Sequence, residues 1–128
     1  MALARGNLWY IRFMQTEVID NPVPLAYLRE LAANGFGDLV KAVVDVERRV
    51  MAVGGELHAD EEAVLLERGS DQRDLWGINL YPELSAEERV EFDSMINIRP
   101  AQGNRSRGVD DHAMRDSILR VVKHLVQD

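Results

Sequence analysis

The segment INIRPAQGNRSR, at residues 96–107, gathers the side chains of this sequence that are best suited to bind an anion. Three of them are arginines, whose guanidinium groups offer forked N–H donors that match the oxygens of a phosphate or a carboxylate. A glycine within the segment lets the backbone approach a ligand closely. We therefore predict an anion-recognition loop whose ligand-binding residues are Arg99, Gln102, Asn104, Arg105 and Arg107.

A structural role also explains this segment. Asp110 and Asp111 follow it, at what the sequence predicts to be the N-terminus of a helix. There the two carboxylates would accept hydrogen bonds from free N–H groups and neutralise the neighbouring arginines. In that case the loop fixes the last helix to the sheet and binds nothing. The sequence leaves both interpretations open.

A second group of polar residues lies in GGELHAD, residues 54–60. If a strand continues through this stretch, Glu56, His58 and Asp60 recur every second residue and share one face. One imidazole and two carboxylates are usable ligands for zinc, manganese or iron. Successive positions on one strand seldom complete a metal site, however, and Asp60 can equally cap a helix. We therefore expect no metal or cofactor and keep Glu56 and His58 as candidate ligand-binding residues.

A third set of polar residues follows the alternation of the predicted strand VEFDSMINIR, residues 90–99. Glu91, Asp93 and Asn97 would share one face of this strand, and two carboxylates can divide acid and base roles when one is desolvated. The same alternation is typical of a strand whose outer face meets water. The sequence contains no cysteine, nucleophile elbow, P-loop or dinucleotide fingerprint, so it identifies no catalytic residue.

Composition limits the classes of function. The chain has 128 residues, 46% of them hydrophobic and 29% charged, which fits one globular domain spanning residues 1–128. Its net charge of −7 opposes non-specific binding to nucleic acid. No apolar run is long enough to cross a bilayer and no secretory signal is visible, so we expect no membrane contact. The absence of cysteine fits a reducing cytoplasm.

The elements that must position these residues show alternating strand and helix patterns. Strands are predicted at residues 8–13, 39–47, 49–57, 74–82 and 90–99, with a hairpin turn near Arg48. Helices are predicted at residues 21–35, 61–68 and from Asp110 or Asp111 onwards, with Asp60 as the cap of the second. The order β-α-β-β-α-β-β-α favours an α+β fold, with a largely antiparallel sheet of about five strands and helices mostly on one face.

Two long stretches of the chain resemble a known family. They are VKAVVDVERRVMAVGGELHADEEAVLLERGSDQRDLWGINLYP and EFDSMINIRPAQGNRSR, and the similarity covers roughly residues 36–108 and the closing helix. The family is a small bacterial and archaeal one catalogued only as a domain of unknown function. The resemblance therefore implies the limits of the domain but no activity, ligand or catalytic residue. Members of the family often have glycine at the position of Arg49, which would ease the hairpin turn there.

Two functional hypotheses fit these observations. The first is an uncharacterised, non-enzymatic binding or interaction module whose arginine-rich loop recognises an anionic group on a small ligand or partner. The alternative is a small metal-assisted hydrolase of a phosphodiester-like substrate. In that enzyme, Glu56, His58 and Asp60 would hold the metal and the arginines would stabilise the charged transition state. The edges of a small open sheet must also be covered or paired, which predicts a homodimer.

Overall fold

A computed structural model describes residues 16–128, and a five-stranded antiparallel sheet forms its centre. In spatial order the strands are β1 (Glu17–Ile19), β4 (Val50–Val53), β3 (Val40–Asp45), β5 (Leu75–Leu80) and β6 (Val90–Glu91). Every neighbouring pair of these strands is antiparallel. The α+β class and the sheet predicted from the sequence are confirmed. The strand predicted at residues 8–13 lies outside the described residues.

The β3–β4 hairpin turns where the sequence predicted, and a buried aspartate organises the turn. One oxygen of the Asp45 carboxylate accepts hydrogen bonds from the N–H groups of Glu47 at 2.9 Å and Arg48 at 2.8 Å. The other oxygen accepts one from the Ser70 hydroxyl at 2.6 Å. Arg49 has a φ of 61°, in the left-handed region that favours glycine. An arginine therefore occupies a turn position that glycine would fit with less strain.

Within residues 16–128, three α-helices cover the sheet, two on one face and one on the other. They are α1 (Leu25–Asn34), α2 (His58–Glu67) and α3 (His112–Leu125). α1 and α3 share the larger hydrophobic core with sheet residues such as Val44 and Ile78. α2 contributes Leu65 to a smaller core, together with Val43 and Leu75 on the opposite face. None of these three helices is long and apolar enough to cross a membrane.

The helix starts agree with the sequence prediction at α3 but not at α2. Asp111 is the N-cap of α3, as predicted, and accepts a hydrogen bond from the N–H of Ala113 at 3.0 Å. α2 begins at His58 with Leu57 as its N-cap, so Asp60 lies inside the first turn. The prediction that Asp60 caps this helix is wrong, because the backbone becomes helical two residues before it. Its carboxylate still interacts favourably with the positive end of the helix.

The fifth strand is much shorter than the sequence pattern predicted. Residues 90–99 were predicted as one strand, but β6 covers only the first two, and a 3-10 turn follows at Met95–Asn97. Gly77 of β5 donates its N–H to Asn97 Oδ1 at 2.8 Å and accepts from Asn97 Nδ2 at 2.9 Å. The side-chain amide of Asn97 therefore forms the two hydrogen bonds to Gly77 that the backbone of a neighbouring strand would form. Asn97 is buried and does not lie on a solvent-facing strand. A Cβ at Gly77 would lie 2.5 Å from the Ser94 side chain, so this approach requires glycine.

A separate pair of short parallel strands joins the two ends of the described chain. β2 (Val23–Pro24) immediately precedes α1, and β7 (Val126–Gln127) immediately follows α3. Their pairing places Asp128 close to the N-terminus of α1.

Candidate functional site

Arg99, the first arginine of the predicted loop, is engaged by the protein itself. Its guanidinium carbon lies 4.2 Å from the centroid of the Trp76 ring. One terminal nitrogen donates to the carbonyl of Leu75 at 2.5 Å, and the other donates to the carbonyl of Gln72. The stacking and the two backbone hydrogen bonds make Arg99 a clamp on the start of β5.

The two amide side chains of the loop also bond to the protein backbone. Asn104 is buried, and its Nδ2 donates to the carbonyl of Asn97 at 2.8 Å. Its Oδ1 accepts the N–H of Asp110 at 2.8 Å. Gln102 donates from Nε2 to the carbonyl of Arg73 at 2.7 Å. These contacts match the structural interpretation of the loop, in which it is fixed to the sheet and to the start of α3.

The other two arginines of the loop lie at the surface. Arg107 donates from Nε to Asp93 Oδ1 at 2.6 Å, and 55% of its side chain is exposed. The guanidinium of Arg105 makes no hydrogen bond or ion pair within residues 16–128. The carboxylate of Asp110 instead accepts from the N–H of Arg105 at 3.2 Å and from the Ser106 hydroxyl at 2.6 Å. The bond from Ser106 lowers the pKa of Asp110 and keeps its carboxyl ionised.

Glu56, His58 and Asp60 do not share the strand face that the metal hypothesis required. β4 ends at Val53 and α2 begins at His58, so the two-residue spacing of a strand does not apply. The chain leaves the strand at Gly54, which has a φ of 86°. Glu56 is half-buried in the segment between β4 and α2. In the part of the chain that the structure describes, no group of three histidine, aspartate or glutamate side chains could hold a metal ion.

His58 is buried at the start of α2 and is held as a neutral ring. Its Nε2 lies 2.8 Å from the carbonyl oxygen of Ile78, which can only accept a hydrogen bond, so this nitrogen carries a proton. Burial lowers the pKa of His58, and the positive charges of Lys41 and Arg107 act in the same direction. The neutral ring therefore has an unprotonated Nδ1 that can accept a proton or a hydrogen bond.

The antiparallel register brings polar side chains from three neighbouring strands together at one end of the sheet, on the face that α2 covers. Lys41 of β3 is opposite Asn79 of β5, and Asn79 is opposite Glu91 of β6. Residues that are directly opposite in an antiparallel pair point to the same face. We call this group and its charged neighbours the sheet-end cluster, which consists of Lys41, His58, Asn79, Tyr81, Glu91, Asp93 and Arg107.

The sheet-end cluster contains bonded and unbonded polar groups. Glu91 Oε1 accepts hydrogen bonds from Asn79 Nδ2 at 2.9 Å and from the Tyr81 hydroxyl at 3.1 Å. Asn79 Oδ1 is buried and has no hydrogen-bond partner. Lys41 Nζ lies 5.2 Å from the centroid of the Phe36 ring, and no carboxylate within residues 16–128 forms an ion pair with it. Within residues 16–128, the cluster therefore contains a buried acceptor without a partner and a lysine that forms no ion pair.

Glu61 is a buried acid that the sequence analysis did not single out. Its Oε2 accepts the N–H of Gly55 at 2.9 Å, while Oε1 is buried without a partner. Burial raises the pKa of Glu61 well above its ordinary value of 4.5. A Cβ at Gly55 would lie 2.8 Å from Glu61 Cγ, which explains the glycine before α2. Two features of the sequence point to Glu61: the glycine at position 55, and the position of Glu61 four residues before Leu65, which places both side chains on one face of α2.

The fold and the cluster define a class of protein: an α+β domain on a five-stranded antiparallel sheet, with a polar surface at one end. Residues 17–125 match the model of a family described as a protein of unknown function, DUF5674. This match covers most of the chain, so the chain belongs to that family, and the resemblance to a domain of unknown function is confirmed. Neither a curated protein nor a solved structure matches the chain.

Proposed function

We propose that this domain is a non-enzymatic binding module that recognises an anionic group, on a small ligand or a partner, through the sheet-end cluster and Arg105. One observation carries the proposal. Lys41, Arg105 and Arg107 keep N–H donors to which no carboxylate within residues 16–128 bonds. Cations with free donors at a surface are the groups that bind phosphate or carboxylate oxygens.

The geometry at Arg107 supports binding of an anion beside a protein carboxylate. Asp93 bonds to Nε alone, so the two terminal nitrogens of the Arg107 guanidinium remain available. The Glu91 carboxylate accepts hydrogen bonds from two neutral groups, the Asn79 amide and the Tyr81 hydroxyl. Because the whole chain carries a net charge of −7, we expect binding through these local hydrogen bonds, without long-range attraction of the anion.

The loop residues have two different roles in this proposal. Arg99, Gln102 and Asn104 bond to backbone carbonyls, so they position the loop and do not contact the ligand. The unprotonated Nδ1 of His58 can accept a hydrogen bond from an N–H or O–H group beside the anion. A metal-assisted hydrolase lacks support, because Glu56, His58 and Asp60 do not form a metal-binding group in the described chain.

Calorimetric titration with inorganic phosphate, pyrophosphate and ATP tests this proposal. Arg107→Ala and Lys41→Ala should each weaken the tightest of these anions about tenfold, or ~1.4 kcal/mol. Arg120→Ala is the matched control, since it removes the same charge from an exposed position on α3. It should change the affinity less than about twofold.

Three results would contradict the proposal. The first is no binding of any of the three anions by the wild-type chain. The second is equal affinity in Arg107→Ala and Arg120→Ala. The third is hydrolysis of bis(4-nitrophenyl) phosphate that His58→Ala abolishes, because such turnover would make the domain an enzyme.

We also infer that the domain is a cytoplasmic homodimer. In the described chain β1 and β6 are the edges of the sheet, and an exposed strand edge must be covered or paired with another chain. The absence of cysteine supports a reducing compartment. Light scattering on the purified chain should give the mass of two copies at micromolar concentration, and the mass of one copy would contradict the dimer.

A further inference from the structure

An open cavity of about 510 Å³ lies at the surface of the domain. It is formed where β2 and β7 bring the start of α1 next to Asp128, and the loop between β5 and β6 provides its other wall. Its apolar walls come from Pro24, Leu25, Pro82 and Leu84, and its cations are Arg29 and Arg89.

Arg89 is a buried cation with incomplete hydrogen bonding. Only 7% of its side chain is exposed. One terminal nitrogen donates to Asp128 Oδ1 at 2.9 Å, and the other is 3.4 Å from the carbonyl of Leu84, a long hydrogen bond. Its Nε is buried and has no hydrogen-bond partner among residues 16–128. A buried guanidinium with unused donors is costly, and a further acceptor would reduce that cost.

The N-terminus of α1 adds positive potential to the same cavity. Pro24 is the N-cap, no side chain caps the helix, and the first turn contains no acidic residue. The first N–H groups of a ten-residue helix therefore lack side-chain acceptors, and Leu25 and Ala26 of this turn line the cavity. The helix end without a side-chain cap and the buried, incompletely bonded Arg89 are two independent observations that indicate an anion at this position.

Asp128 occupies the position of such an anion in this structure, but it is weakly held. Its side chain is 62% exposed although the guanidinium that it contacts is buried. The other carboxylate of the cavity, Glu83, is 3.1 Å from Arg29, and both of these side chains are largely exposed. An exposed aspartate that bonds to a buried arginine through one oxygen can be displaced by a ligand that fills the cavity.

We propose that this cavity binds a small molecule with an apolar body and a single carboxylate, and that this carboxylate replaces Asp128 on Arg89. The group now bonded to Arg89 is itself a carboxylate. Glu83 lines the cavity, and its carboxylate would repel a phosphate dianion more strongly than a singly charged carboxylate. Pro82, Pro24 and Leu25 would contact the apolar body. The residues that line this cavity are not members of the sheet-end cluster, so the proposal does not rest on the proposed function.

Calorimetric or NMR titration with benzoate and hexanoate tests the site, with 1-hexanol and inorganic phosphate as comparison probes. Asp128→Ala removes the internal competitor, so it should bind benzoate or hexanoate at least about fivefold more tightly than the wild-type chain. Asp116→Ala removes an equal charge from an exposed position on α3 and should leave the affinity unchanged. Arg89→Lys, made in the Asp128→Ala chain, should lose the gain because lysine lacks the forked donors.

The site is overturned if Asp128→Ala binds neither carboxylate more tightly than Asp116→Ala does. It is equally overturned if 1-hexanol or phosphate binds as tightly as hexanoate, since the carboxylate would then be unnecessary. Circular dichroism shows whether Arg89→Lys is folded. If it is not, the comparison of the two aspartate variants still decides the question, because both replace exposed side chains.

Discussion

The Asn97 side chain bonds to both backbone groups of Gly77 and to the carbonyl of Arg107, so one amide ends β6 and fixes the candidate binding loop. We predict that Asn97→Ala lowers the free energy of unfolding by about 2–4 kcal/mol, because it leaves buried backbone groups without partners. Urea denaturation measures this change. Asn21→Ala, at an exposed position, should cost less than about 0.5 kcal/mol. A loss below about 1 kcal/mol for Asn97→Ala would show that water or the backbone replaces the amide.

Glu61 makes the stability of the fold depend on pH. Burial raises the pKa of Glu61 in the folded chain, so the folded state keeps a proton where the unfolded chain has released it. The stability from this group is fully present below its ordinary pKa of 4.5 and is lost as the pH rises through the raised folded value. At pH values above this raised pKa, ionised Glu61 is therefore expected to lower the free energy of unfolding of the wild-type chain.

Glu61→Gln tests this dependence, because glutamine keeps an acceptor for the N–H of Gly55 and does not titrate. We expect the variant to have a higher melting temperature than the wild-type chain at about pH 8, with the difference shrinking as the pH falls towards 5. Burial lowers the pKa of His58, but His58 is present in both chains, so its contribution to the difference cancels. A difference that stays constant across the range would contradict the assignment.

At the scale of elements, the β3–β4 turn holds an arginine in a conformation that glycine adopts without strain. Arg49→Gly should therefore raise the free energy of unfolding by about 0.5–1 kcal/mol in chemical denaturation. Glu47→Gly is the control in the same turn, since Glu47 does not have a positive φ, and it should lower the stability. If both variants destabilise the domain, the left-handed conformation of Arg49 carries no strain.

The elements that the sequence predicted well are those specified by local patterns. The buried residues of α3, Ile118, Val121, Val122 and Leu125, recur every three or four positions, and the two strands of the β3–β4 hairpin are adjacent in the sequence. β6 was predicted too long. The alternating pattern of residues 90–99 fits a strand, and only the tertiary contact of Asn97 shows that the strand ends early. That partner, Gly77, lies 20 residues away, and no local pattern connects the two positions.

The candidate site was predicted in its residue types but not in its arrangement. The arginines of the loop were visible in the sequence, but the stacking of Arg99 on Trp76 depends on tertiary packing. The proximity of Lys41, Asn79 and Glu91 follows only from the register of three strands. The order of strands in the sheet, unlike the pattern within each strand, is a long-range property that composition and spacing do not specify.

At the scale of the whole molecule, the two proposed sites are neighbours at the end of the sheet where β5 and β6 are joined. Tyr81 of the sheet-end cluster donates its N–H to the carbonyl of Arg89, which lines the cavity, at 2.9 Å. Glu91 of the cluster follows Arg89 by two residues. The two sites therefore use different side chains but share one stretch of backbone.

Recognition of an anion by the sheet-end cluster is tested most directly by titrating the full chain with pyrophosphate and recording 1H–15N correlation NMR spectra. We predict that the signals that shift belong to the neighbourhood of Lys41, Asn79, Arg105 and Arg107, and that Arg107→Ala removes these shifts. No change in any signal, or changes confined to the residues around Arg89, would contradict recognition of an anion by the sheet-end cluster.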